Sequence, residues 1–88
     1  TLNKNMKRKM KIIKFGAEWC SACKSMDKIY YEELKNWECV DVDDQPELIT
    51  KYGINKLPTV LFLNSEDIEV NRHVGAMTTE QYNSYLNG

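Results

Sequence analysis

The feature that most narrows the folds open to this chain is the run Cys20-Ser21-Ala22-Cys23, because of what stands on either side of it. Before it, Lys11-Ile12-Ile13-Lys14-Phe15 is a short β-prone run that ends at Gly16-Ala17-Glu18-Trp19. After it, Met26, Ile29, Tyr30, Leu34 and Trp37 recur at spacings of three and four, which predicts a helix from about Ala22 to Trp37 with these residues on one face. A strand thus delivers the chain to a helix, and Cys20 falls at or just before that helix's N-terminus.

The remaining elements follow from local chemistry. Glu38 to Val42 reads as a second strand, closed by Asp43 and Asp44. Asp44-Gln45-Pro46-Glu47 has the pattern of a capping box with proline in the first turn, and it predicts a short helix through Tyr52 with Gly53 as its C-terminal cap. Thr59-Val60-Leu61-Phe62-Leu63 is apolar at successive positions, as a central strand covered on both faces should be. Asn64 to Asp67 has turn composition, and Ile68 to Val74 is polar enough for an antiparallel edge strand. A second capping-box pattern, Thr78-Thr79-Glu80-Gln81, opens a terminal helix with Tyr82, Tyr85 and Leu86 inward. The expected architecture is α/β: the order βαβαββα, two βαβ-like units joined to a final hairpin, giving a four-stranded mixed sheet flanked by three helices.

At 88 residues there is room for one core, expected over residues 11–88, with residues 1–10 as a flexible N-terminal extension. Lys4, Lys7, Arg8, Lys9 and Lys11 crowd that end without aromatic interleaving, which reads as a solvated terminus; Thr1 to Asn5 precede Met6. The net charge of −1 supplies no attraction for nucleic acid or an anionic membrane, so neither is expected as a partner. The apolar stretch Ile12, Ile13, Phe15 is interrupted by Lys14 and is too short for a signal peptide; no later run approaches a membrane span. A cytoplasmic monomer is the expectation.

Three cysteines are too few, and odd in number, for a disulfide framework in so short a chain, so the spacing points to redox chemistry. A Cys-x-x-Cys pair that opens a helix straddles about one turn. Unpaired N–H groups and the positive end of the helix dipole then favour a thiolate at Cys20, the species that attacks disulfides. Cys23, one turn inside, is suited to resolve the resulting mixed disulfide. The competing reading, half of a zinc knuckle, lacks a second half: only Cys39 and His73 remain as soft ligands, and they are not spaced as a pair. No metal or other cofactor is expected.

Phe15-Gly16-Ala17-Glu18-Trp19-Cys20-Ser21-Ala22-Cys23-Lys24 resembles the active-site stretch of thioredoxins. Val40-Asp41-Val42-Asp43, Tyr52-Gly53-Ile54, Leu57-Pro58-Thr59-Val60 and Gly75 before a capped helix look like further landmarks of that family, in order, over about residues 11 to 87. The resemblance implies the thioredoxin fold without the extra N-terminal strand and helix of longer members; in size the chain is nearer glutaredoxins and short archaeal-type thioredoxins. It also implies a thiol–disulfide oxidoreductase that reduces protein disulfides and is recycled by an electron-donating reductase or by glutathione. Carried over by position, Cys20 and Cys23 would be catalytic and Pro58 a cis-proline facing them. The Leu57 backbone would bind a peptide, with Trp19 and Gly75 beside it. The alternative is a redox-inactive binding or adaptor module on the same fold.

The chain departs from the family in three places. Ser21-Ala22 replaces the common Gly-Pro between the cysteines. A buried acid that assists the resolving thiol in many thioredoxins aligns with Lys14, and a lysine near that acid aligns with Cys39. For Lys14 the plainer reading is a stem packed on the sheet with its ammonium in water; the other is a charge, or a base, beneath Cys23. Cys39 reads as an inert core thiol or a third thiol able to trap Cys23, and His73 as a surface or packing residue.

Overall fold

In the computed structural model, which describes residues 10–87, the chain forms β1 (Lys11–Gly16), α1 (Ser21–Ile29), a 3₁₀ turn (Glu33–Asn36), β2 (Glu38–Asp41), α2 (Glu47–Tyr52), β3 (Thr59–Leu63), β4 (Glu69–Val74) and α3 (Thr79–Asn87). The strands lie in the order β2-β1-β3-β4. Strands β1 and β2 are parallel, while β3 is antiparallel to both of its neighbours, β1 and β4. This is the expected thioredoxin-type βαβαββα fold, with a mixed sheet and three helices. The basic cluster from Lys4 to Lys9, and with it nearly all of the expected N-terminal extension, lies outside the described residues. Met10 packs partly buried against the sheet.

Only the first βαβ unit closes as such. The second returns antiparallel, because α2, six residues and roughly 9 Å long, does not carry the chain back along the sheet. Strand β3 therefore starts at the end of the sheet where β2 stops, which is also the end where β1 delivers Cys20.

Strand β3 is buried at all five positions, and its alternation feeds two cores. Leu61 and Leu63 join Ile13, Phe15, Val40 and Ile54 under α2, whereas Val60 and Phe62 join Ile12, Met26, Tyr30, Trp37 and Met77 under α1 and α3. Each large apolar side chain fully buried in this way contributes roughly 1.5–3 kcal/mol, so both faces are needed for a chain this short to fold.

Three local expectations need correction. Helix α1 stops at Ile29 instead of running to Trp37: Tyr30 leaves helical geometry and drops into the core, where its hydroxyl donates to the Met77 carbonyl at 2.7 Å. Its inward stripe is accordingly Cys23, Met26 and Tyr30, and Ile29 is 56% exposed. The Asp44–Glu47 pattern makes no side-chain cap for α2; the turn is held by Asp41, whose carbonyl accepts from the Asp44 and Gln45 amides and whose Oδ1 accepts from the Asp43 amide at 2.8 Å. At α3 the capping box does form, with Gln81 N donating to Thr78 Oγ1 and Thr78 N to Gln81 Oε1. Gly53 caps α2 at φ +63°, a conformation that favours glycine.

Candidate active site

Strand β1 ends at Gly16, and the turn that follows is closed by the Cys20 amide donating to the Ala17 carbonyl at 3.1 Å. That bond sets Cys20 as the N-cap of α1, with extended φ and ψ of −94° and 107°. Its Sγ accepts from the Cys23 amide at 3.2 Å and so satisfies one of the donors that the start of a helix leaves unpaired. The first turn of α1 carries no acidic residue to oppose negative charge on that sulfur. Cys20, Cys23 and Cys39 are all free thiols, and Cys39, on β2, is exposed instead of lying in the core as expected.

The two cysteines of the pair sit in different surroundings. Cys20 is 9% exposed at the rim, whereas Cys23 is 2% exposed at the edge of the α2-side core. Burial pushes the Cys23 thiol up to about 11; its hydrogen bond with the Cys20 sulfur and the charge there add to the effect, while the Ala17 backbone and the Lys14 ammonium act against it.

An apolar cleft of about 540 Å³ opens beside Cys20, walled by Trp19, Val42, Pro46, Ile49, Ile54 and Leu57. Trp19 is 68% exposed, and its indole N–H donates to Asp43 Oδ2 at 2.9 Å, which fixes the ring across the mouth. Leu57 lies just before the β3 ladder, and the Leu57–Pro58 peptide is cis. The Pro58 carbonyl accepts from Gly75 N at 2.8 Å, placing Gly75 next to it. Gly75 has φ +94°, and a Cβ there would meet nothing within 4 Å, so backbone conformation, not crowding from the chain itself, calls for glycine. Of the residues singled out from the sequence, Trp19, Cys20 and Leu57 line the cleft; Pro58 and Gly75 form the adjoining backbone.

Lys14 overturns its plainer reading. It is 6% exposed, and its ammonium lies 2.8 Å from Asp27 Oδ1 on α1 instead of reaching water. Asp27 Oδ1 is buried and receives no hydrogen bond of good geometry, so the contact is a Coulombic pair. Asp27 and Gly16 were both missed in the sequence. The available signal was that Asp27 stands four residues after Cys23 on the same helix face. His73 is a packing residue: Nε2 donates to the Ala76 carbonyl and Nδ1 accepts from the Tyr85 hydroxyl, both at 2.9 Å, tying β4 to α3. Among the described residues no group of three or more His, Cys, Asp or Glu side chains comes together as a metal site.

Comparison with known proteins agrees with this geometry. A thioredoxin from Rickettsia bellii is 39% identical over 71 residues, covering 70% of this chain and 68% of that protein. Thioredoxin H5 of Oryza sativa subsp. japonica is 38% identical over 64 residues, 66% of this chain but only 47% of that longer protein. The crystal structure of a reduced thioredoxin pre-protein from Schistosoma mansoni superposes with a TM-score of 0.79 at 27% identity, covering 98% of this chain and 84% of that one. The sequence model of the thioredoxin family matches residues 1–88. The chain, with its paired Cys20 and Cys23 at the head of α1, belongs to the thioredoxin family.

Proposed function

We propose that this chain is a thiol–disulfide oxidoreductase that reduces disulfides in proteins. The observation that carries this reading is the Cys20 sulfur standing as the cap of α1, 3.2 Å from the Cys23 amide, at the edge of an apolar cleft. As a thiolate, Cys20 attacks one sulfur of a substrate disulfide; the substrate's other sulfur leaves and takes a proton, and a mixed disulfide joins Cys20 to the substrate. Cys23 then loses its proton and attacks the Cys20 sulfur. The mixed disulfide breaks, the substrate departs fully reduced, and the two electrons it gained leave the pair as a Cys20–Cys23 disulfide. An electron-donating reductase or glutathione restores the dithiol, which requires a reducing compartment such as the cytoplasm.

For the substrate, the cleft offers an apolar wall at Trp19, Val42 and Ile54, and the Leu57 backbone, ahead of the β3 ladder, would pair with an extended peptide. Pro58 and Gly75, joined by the Gly75 N–H on the Pro58 carbonyl, would adjoin that peptide, and among the described residues no atom beyond its chain neighbours lies within 4 Å of a Cβ built on Gly75. Reduction of insulin disulfides with dithiothreitol as donor tests the reading. The unaltered chain should turn over, Cys20→Ser should not, and Cys23→Ser should accumulate a mixed disulfide at Cys20. Turnover equal to the uncatalysed rate in the unaltered chain would leave the fold as a binding module.

A further inference from the structure

Resting on the dithiol reading above, we propose that Lys14, paired with Asp27, is a positioning residue that holds negative charge on Cys23 during the resolving step. Lys14 and Cys23 come from different elements, β1 and α1, yet a Cβ built on Gly16 would lie 3.1 Å from Lys14 Nζ and 3.2 Å from Cys23 Sγ. Ammonium and thiol therefore converge on the space that the missing side chain of Gly16 leaves open. A buried ammonium is costly to desolvate, and among the described residues this one has a single carboxylate partner, contacted without good hydrogen-bond geometry.

The resolving step supplies the charge that this site lacks. When Cys20 is tied in a mixed disulfide it carries no charge, so its opposition to a Cys23 thiolate vanishes, and Lys14 is the cation beneath the nascent anion. The Cys23 proton leaves to water in a pocket of about 250 Å³ that Lys14, Cys23 and Asp27 share. The Cys23–Cys20 bond then forms as the bond from Cys20 to substrate breaks, and the substrate thiolate takes a proton from water. Lys14 remains an ammonium throughout, so no proton or electron is left unaccounted for.

The other ionisable groups facing this pocket are Glu18 in the turn, Lys24 on α1, and Cys39 and Asp41 on β2. Glu18 and Lys24 are exposed, where water screens their charge; Cys39 is a thiol pushed up by desolvation and so uncharged at neutral pH, and Asp41 is only partly covered and holds the Asp43 amide. Lys14 is the buried one among these charges, and its Nζ is the one that meets the Cys23 sulfur at the space beside Gly16.

The test is single-turnover reaction with the aromatic disulfide dithiobis-nitrobenzoate, in a Cys39→Ala background so that the exposed third thiol is silent. The first thionitrobenzoate released reports attack by Cys20, and the second reports resolution by Cys23. Lys14→Met should leave the first release within about twofold, raise the pH midpoint of the second by about one unit and slow it about tenfold at neutral pH; Lys14→Arg should restore it. Asp27→Asn, a near-isosteric change at a half-exposed side chain, should lower that midpoint by unmasking the Lys14 charge, and it carries the test should Lys14→Met not fold. Midpoints that stay put, or that move the same way in both variants, would overturn the inference. Absence of the first release in the unaltered pair would instead sink the oxidoreductase reading.

Discussion

The two faces of the sheet are buried to similar depth but are built from different materials. Under α1 and α3 the core is aromatic: Tyr30, Trp37, Phe62, Tyr82 and Tyr85 stack with ring centroids 4.7–6.4 Å apart, pinned by the Tyr30 hydroxyl on the Met77 carbonyl. Under α2 the core is mostly aliphatic, and the cysteines join it at its edge. Helix α1 belongs to both, since its first turn meets the aliphatic face and Met26 packs into the aromatic one. The two faces divide the labour. The aromatic face anchors the helix by its far end, while the near end holds Cys23 at the edge of the aliphatic core and leaves Cys20 at the rim.

Three changes test that division. Tyr30→Phe should have the largest effect, about 1–3 kcal/mol of stability, because it leaves the buried Met77 carbonyl unpaired. Urea unfolding measures the loss, and insulin turnover per folded molecule should stay the same; a fall in turnover would mean that the aromatic face also tunes the site. A smaller effect should come from pH acting on the other face. The Cys23 thiol is raised in the fold from 9.0 to about 11, so the native chain keeps a proton that the unfolded chain gives up. The associated stability is full below about pH 9 and is lost as pH rises toward about 11. Urea midpoints of the reduced protein at about pH 8 and about pH 10.5 should therefore fall further in the parent than in Cys23→Ala, and equal falls would show that burial of Cys23 is not linked to folding. The smallest, about 1 kcal/mol, should be Thr78→Ala, which removes one arm of the α3 capping box; its loss should appear in stability and not in turnover.

Much of the fold was legible because it rests on local pattern. The apolar run of β3, the αL glycine at Gly53, the Thr78–Gln81 box and the polar edge strand each state a backbone preference within a few residues, and each is realised. Cys20 at the head of a helix was legible for the same reason, since strand, turn and helix are contiguous. The end of α1 was not, because Tyr30 is a helix-compatible residue drawn out of the helix by a partner 47 positions away. The start of α2 was not legible because the turn before it is held by Asp41, a residue of β2, which takes the Asp43, Asp44 and Gln45 amides, and α2 itself has no side-chain cap.

By itself the sequence determined the order of elements, the two-sided burial of β3 and the cysteine at a helix start, all consequences of periodicity and capping over short spans. The surroundings of that cysteine pair come from long-range packing. Trp19 is locked to Asp43 across a loop, and Lys14 is buried against Asp27 in the space beside Gly16, on elements that meet only when α1 packs on the sheet. Whether a lysine on an inner strand reaches water or a carboxylate depends on how closely the covering helix approaches. That approach is set by the aromatic side chains at the helix's other end, whose packing is a property of the whole core.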